Sequence, residues 1–341
     1  MYGRLFSPAR LATVGVVLLA AVLIVLLTKQ SDQYLEVPDE AHPLAGLVQV
    51  SDPNKKRDNG GIYYVDVIVK RASLLQASFG LFRPDGADLI PQEAFVPCGI
   101  SYSQQIELES QTMKASQATA SAVALRALGY KIRAHETGLR VVAVDPRSNA
   151  HGVLEAGDVV VVANGRQVRD RLDLFRVISR AKVGDIVRIT VRRAGKLRTL
   201  RVRTIADRCS PQRRAIIGFV PFDAIDIHLP IKIRFNLRDV GGPSAGLAFA
   251  LEVLEQRGRD VDHGLKVAAT GEIGLDGSVT RIGGIKQKTI GARQAGVDAF
   301  LVPVDGDNAK DAKRYANGLR IIPVKTFQQA LQSLATLRAK A

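Results

Sequence analysis

Residues 239–254 run Asp239-Val240-Gly241-Gly242-Pro243-Ser244-Ala245-Gly246-Leu247 and on through Ala248-Phe249-Ala250-Leu251-Glu252-Val253-Leu254. Two glycines and a proline deliver one serine to the start of an apolar helix, whose first turn leaves backbone N–H groups without intrahelical partners. A hydroxyl beside such donors is placed to attack a carbonyl, because the donors hold the negative oxygen that forms. Ser244 is the candidate nucleophile, with the N–H groups around Gly242 and Ala245 as candidate oxyanion donors. A loop-to-helix turn without chemical consequence is the competing reading of the same residues.

Around this stretch the pattern is α/β. Residues 224–233 are apolar at every second position, a half-buried strand leading into the serine loop. Downstream, a short apolar strand at 265–270 ends in Thr270-Gly271-Glu272, and 282–295 reads as a helix stopped by Gly296. A strand at 299–303, a helix after Asp307-Asn308, a strand at 319–324 and a last helix capped by Thr326 with Gln329 follow. Upstream, 61–69 is a β-branched and aromatic strand after an Asn59-Gly60 turn, and 101–130 reads as a helix ending at Gly129.

A serine hydroxyl needs a base to take its proton. His228 is the one histidine near in sequence, and the alternation puts it on the polar strand face with Asp226 and Lys232. Lysine serves only where burial lowers its pKa. Helical neighbours of Lys288 are Gly284, Ile285, Gly291 and Ala292, a small apolar face that can pack the amine in dry. Lys286 has Ile282, Gly283, Thr289 and Ile290 around it and a less tight face, so Lys288 is preferred. No His-Glu-x-x-His occurs, and the two cysteines, Cys98 and Cys209, match no metal-ligand spacing. No metal or cofactor is expected, and whether the cysteines pair is left to geometry.

The 341 residues carry a formal net charge of +15, yet there is no Trp and aromatic residues make up 5%. Basic residues are scattered without interleaved aromatics, so nucleic-acid binding is not expected. Residues 11–28 are uncharged and almost wholly apolar, close to the roughly 20 that span a bilayer core. Arg4 and Arg10 precede this run, and Asp32, Glu36, Asp39 and Glu40 follow Lys29. The positive-inside rule then expects an uncleaved single-pass anchor in the cytoplasmic membrane, with the N-terminus in the cytoplasm and the body outside. A polar, proline-containing spacer is expected to follow.

Residues 131–205 have another character. A glycine-led strand, Thr137-Gly138-Leu139-Arg140-Val141-Val142-Ala143-Val144, is followed by Ala156-Gly157-Asp158 and an apolar strand to Asn164-Gly165, then a helix at 171–180 and two alternating strands. This segment resembles a PDZ domain. The resemblance implies a groove between the Leu139 strand and the helix at 171–180, where a peptide adds as a strand and its carboxylate meets Gly138, Leu139, Arg140 and Val141.

Gly-Pro-Ser-Ala-Gly at 242–246, Thr270-Gly271-Glu272, and Ile282-Gly283-Gly284-Ile285-Lys286-Gln287-Lys288, in that order, resemble the proteolytic domain of the Lon family. Asp226-Ile227-His228 and Met113-Lys114-Ala115-Ser116 resemble stretches upstream of that domain's serine. The resemblance implies that Ser244 is the nucleophile, Lys288 the base and Thr270 a partner of the lysine amine. It also implies a ring-shaped homo-oligomer. Two features depart from the family: Gly241 stands where ATP-dependent members carry an acid, with Asp239 two residues earlier, and no Gly-x-x-x-x-Gly-Lys-Ser/Thr loop is present.

The expected architecture is thus α+β/α/β: a cytoplasmic N-terminus at 1–10, an anchor at 11–28, a spacer at 29–45, a Lon-like domain at 46–130 and 206–341, and an inserted PDZ domain at 131–205. The expected function is an ATP-independent serine endopeptidase acting on proteins or peptides, whose PDZ groove takes C-terminal tails. The rival expectation is a non-catalytic PDZ scaffold on an inactive protease fold.

Overall fold

The computed structural model describes residues 8–54, 60–237 and 240–337; the side chains of 8–11 and 136 lie outside the description. Arg4, Asn59 and Asp239, used above, fall outside it as well. The apolar N-terminal run forms helix α1, Pro8–Thr28. Among the described residues no helix is long and apolar enough to cross a membrane. The span expected at 11–28 is therefore not met among the described residues.

No spacer follows α1. Strand β1, Gln30–Pro38, begins two residues after the helix ends. It is the middle strand of a small antiparallel sheet, between β3, Val67–Ser73, and β4, Asp88–Pro91. Tyr34 and Leu35 of β1 are buried, which a solvated linker would not allow.

The body is a sheet of parallel strands. Its order is β2 (Gly61–Tyr64), β10 (Lys266–Ala269), β11 (Ala299–Pro303) and β12 (Arg320–Val324), with His42–Pro43 antiparallel on the β2 edge. Continuous apolar strands such as Ala299–Pro303 are what burial on both faces requires. One face is covered by α2 (Tyr102–Ala127), α4 (Gly246–Gln256) and α7 (Phe327–Ala335), which share a core with Ile62, Val267 and Leu301. The other is covered by α5 (Ile285–Gln294) and α6 (Asn308–Tyr315) over Ala268, Phe300 and Val302. One core thus joins residues from before and after the inserted segment. The helix ends follow their chemistry: Ser101 and Gln104 form a capping box on α2, and the Thr326 hydroxyl accepts from Gln329 N on α7.

The inserted domain has its own core. Its sheet runs β8 (Lys196–Arg203), β7 (Ile186–Arg193), β6 (Val159–Ala163), β5 (Arg133–Val144) and β9 (Phe219–His228), with helix α3 (Arg171–Ile178) beside β9. Buried Asp158 takes two hydrogen bonds from the Arg193 guanidinium, at 2.7 Å each. The antiparallel ribbon of β5 and β9, paired from Phe219↔Val144 to His228↔Arg133, leaves the body and returns to it. A disulfide between Cys98 and Cys209, with Cα atoms 5.7 Å apart, ties the two parts a second time.

That bond closes a loop of 111 residues, and chain entropy makes such a closure worth up to about 5 kcal/mol. Replacing both cysteines by serine is expected to destabilise the oxidised protein by roughly 3 kcal/mol in a denaturant titration. An unchanged midpoint would show that the bond does not constrain the unfolded chain.

Candidate active site

The carboxyl ends of β2 and β10 lie side by side, because Tyr64 pairs with Ala269. Asp66 follows the first and Thr270 the second, so both open into the crevice where parallel sheets place ligands. The serine loop reaches this crevice from one face and α5 from the other. Lys288 Nζ lies 2.6 Å from Ser244 Oγ.

Two elements hold the loop. The buried Ser116 hydroxyl of α2 donates to Pro243 O at 3.0 Å, and Gly242 N donates to Glu109 O of the same helix at 3.0 Å. Residues 109 and 116 are seven apart, two turns on one helix face. At the strand end, Gly271 N and the Thr270 hydroxyl donate to Ser244 O at 2.8 and 3.1 Å. Thr270 is thus placed otherwise than expected, since its hydroxyl serves the serine carbonyl and not the lysine amine. Gly242 also differs, because its N–H is engaged by Glu109 and is not an oxyanion donor. The first helical N–H groups are taken too, Gly246 N by Pro243 O and Leu247 N by Gly271 O. Among the described residues no acceptor takes the N–H groups of Ser244 and Ala245, which lie between these pairs.

Lys288 is 3% exposed. The small face of α5 packs as its sequence suggests: a Cβ on Gly291 would overlap the Asp39 carbonyl, and Ala292 is fully buried. Burial pushes the Lys288 amine down from 10.5 to about 8, although Asp66, Glu36 and Glu109 pull it up. Burial in turn raises each of these carboxyls, against the pull of Lys288. Glu36 comes from β1, Asp66 from the end of β2 and Glu109 from α2. A Cβ on Gly241 would approach Glu109 Cβ to 2.8 Å, so the glycine standing where ATP-dependent Lon enzymes carry an acid leaves room for an acid from another element.

The rejected candidates are placed as clearly. Lys286 pairs with Asp88 at 2.6 Å and lies 5.6 Å from the Tyr315 ring centroid. His228 is exposed and lies 3.4 Å from Asp226. In the inserted domain, Gly138, Leu139, Arg140 and Val141 do not line an open groove. Their strand β5 is internal, paired with β6 at Leu139 and Arg140 and with β9 along its other edge. The open edge belongs to β9. A groove of about 540 Å³ lies between it and α3, lined by Leu174, Phe175, Ile178, Ile217 and Phe219, with Arg171 and Arg214 at its margin.

Residues 210–336 match the model of the Lon protease (S16) C-terminal proteolytic domain, and residues 126–204 match that of the PDZ domain. A Lon protease of Rhizobium meliloti (strain 1021) is 33% identical over 189 residues, covering 53% of this chain and 23% of that protein. One from Neorickettsia sennetsu is 36% identical over 114 residues, covering 32% and 13%. The crystal structure of the PDZ domain of an SdrC-like protein from Listeria monocytogenes is 25% identical, covering 25% of this chain and 87% of that one, with a TM-score of 0.23. The chain carries a Lon-type proteolytic domain and a PDZ domain. It spans between 13% and 23% of the length of the first curated relatives it matches.

The Lys288 geometry fixes a sign for stability. Below pH 8 the buried amine is charged, and its burial penalty is present in full; it fades as pH rises from about 8 to 10.5, where the folded chain has already released the proton that the unfolded chain still binds. Lys288→Met is therefore expected to be more stable than the native protein at pH 7, by up to about 3 kcal/mol, with the gap closing above pH 10. Equal thermal midpoints at pH 7 would show that burial does not oppose the charge.

Proposed function

We propose that the chain is a serine endopeptidase working through a Ser244–Lys288 dyad without a nucleotide. The observation that carries this reading is the 2.6 Å approach of a buried amine, depressed to about 8, to the serine hydroxyl. The neutral amine accepts the hydroxyl proton as Ser244 Oγ attacks a peptide carbonyl. The oxyanion turns toward the N–H groups of Ser244 and Ala245. The ammonium then gives its proton to the leaving amine, and water, deprotonated by the same lysine, releases the acyl group. The carboxylates of Glu36, Asp66 and Glu109 stabilise the ammonium while it exists. A ring of such chains, as the family resemblance implies, belongs to this proposal.

Membrane attachment through α1 is also proposed. Val16, Val17, Leu18 and Leu19 are between 61% and 70% exposed. Four consecutive residues look out around the whole circumference of a helix, and a helix apolar all round needs an apolar partner. The Cys98–Cys209 bond favours an oxidising compartment outside the cytoplasm. The PDZ groove is proposed to take C-terminal tails along β9, with Arg171 and Arg214 near the carboxylate.

Cleavage of an unfolded protein substrate is expected to rise with pH to half its plateau near pH 8, since the base must be neutral. Ser244→Ala and Lys288→Ala are expected to abolish it, and Lys286→Ala to retain it. Full activity in Lys288→Ala would overturn the dyad.

For the groove, Phe175→Asp is expected to weaken binding of a peptide with a free C-terminal carboxylate at least tenfold in a fluorescence-anisotropy titration, and Arg140→Ala to leave it unchanged. The reverse pattern would return the site to β5.

A further inference from the structure

Beside the end of α1 the body presents an uncovered apolar turn. Phe79, Leu81 and Phe82 are 54%, 91% and 48% exposed. Large apolar side chains scattered singly on a surface are ordinary, whereas three within four residues call for a partner. The turn is braced: Arg83 folds back, and its guanidinium donates to Gln76 O and Ala77 O at 2.8 and 3.1 Å. The Ser73 hydroxyl and Gln76 cap the helical turn Leu74–Ser78 that leads into it. With its polar groups engaged behind it, the turn points its apolar groups outward.

Its place in the fold names the partner. Leu74 N donates to Lys29 O at 2.9 Å, and Lys29 N donates to Val25 O at 2.9 Å, so the turn hangs from the last turn of α1. Strand β1 starts at Gln30 and pairs there with Ser73 of β3, so no linker lets the body swing away. Whatever surrounds the exposed end of α1 lies at the level of Phe79–Phe82. Lys29, Lys70 and Arg71 are exposed nearby in the chain and add the positive charge that anionic head groups attract.

We propose that Phe79, Leu81 and Phe82 insert into the interfacial layer of the bilayer that receives α1, giving the body a second foothold and one fixed orientation on the lipid surface. This rests on the attachment through α1 proposed above. The chain contains no Trp, so a single tryptophan reports its own site. The test uses the full chain mixed with vesicles of phosphatidylcholine and phosphatidylglycerol, as Leu81→Trp and, for comparison, Leu197→Trp at the exposed hairpin of the PDZ domain.

Both variants are expected to co-sediment with vesicles. Only Leu81→Trp is expected to shift its emission to the blue and to be quenched by lipids spin-labelled at shallow depth. Vesicle-bound Leu81→Trp with water-like, unquenched emission would overturn the foothold and leave the attachment standing. Loss of co-sedimentation in both variants and the native chain would remove the attachment, and the foothold with it.

Discussion

The arrangement of the site depends on keeping one lysine dry. An ammonium is strongly hydrated, and taking it out of water is costly unless charge or proton release compensates. Lys288 is nearly inaccessible and sits against a hydroxyl, with three carboxyl groups close enough to pull its pKa upward without restoring it to the ordinary value. The balance leaves an amine whose proton is exchangeable near neutral pH. Much of the packing serves that balance. The absence of a side chain at Gly291 lets α5 press on the Asp39 backbone, and the absence of one at Gly284 leaves room for the Glu36 carboxyl at the start of that helix.

The serine half of the site is held by backbone geometry instead of by charge. Its carbonyl is fastened from the end of β10, and its loop is fastened from α2 by one hydroxyl and one peptide carbonyl. Each of these bonds is modest in net free energy. Their value is positional, since they hold the Ser244 carbonyl and the loop on either side of it in one place. The inserted domain is fastened to the same framework by a two-stranded ribbon and a disulfide. Strand β9 therefore borders an apolar groove at one end and leads toward the serine loop at the other.

Local chemistry was readable wherever it depended on neighbours in the chain. The serine at a helix start, the small apolar face around Lys288, the cap at Thr326 and the β-α alternation after residue 224 all rest on contacts within a few residues. The acids around Lys288 were not readable. Glu36, Asp66 and Glu109 come from three separate elements, all lying before the inserted domain, and nothing in their local sequence marks them as neighbours of an amine at position 288. The same holds for the groove. The PDZ resemblance implied a groove beside Gly138-Leu139, but which strand is the edge depends on what pairs beside it, and β9 returns from 75 or more residues away to take that place.

The sequence by itself determined a serine at a helix start, the small apolar face that singles out Lys288 from Lys286, the PDZ and Lon-like character of the two domains and the apolar N-terminal helix. Each follows from periodicity, turn chemistry or motif order, which act over a few residues at a time. Only the tertiary structure decided that Thr270 serves the serine carbonyl, that the Gly242 N–H is taken by Glu109, that an apolar groove lies between β9 and α3, that Cys98 and Cys209 are bonded, and that β1 replaces a spacer. Those outcomes depend on which partner from a distant part of the chain the fold sets alongside, and on how much room a missing side chain leaves for it.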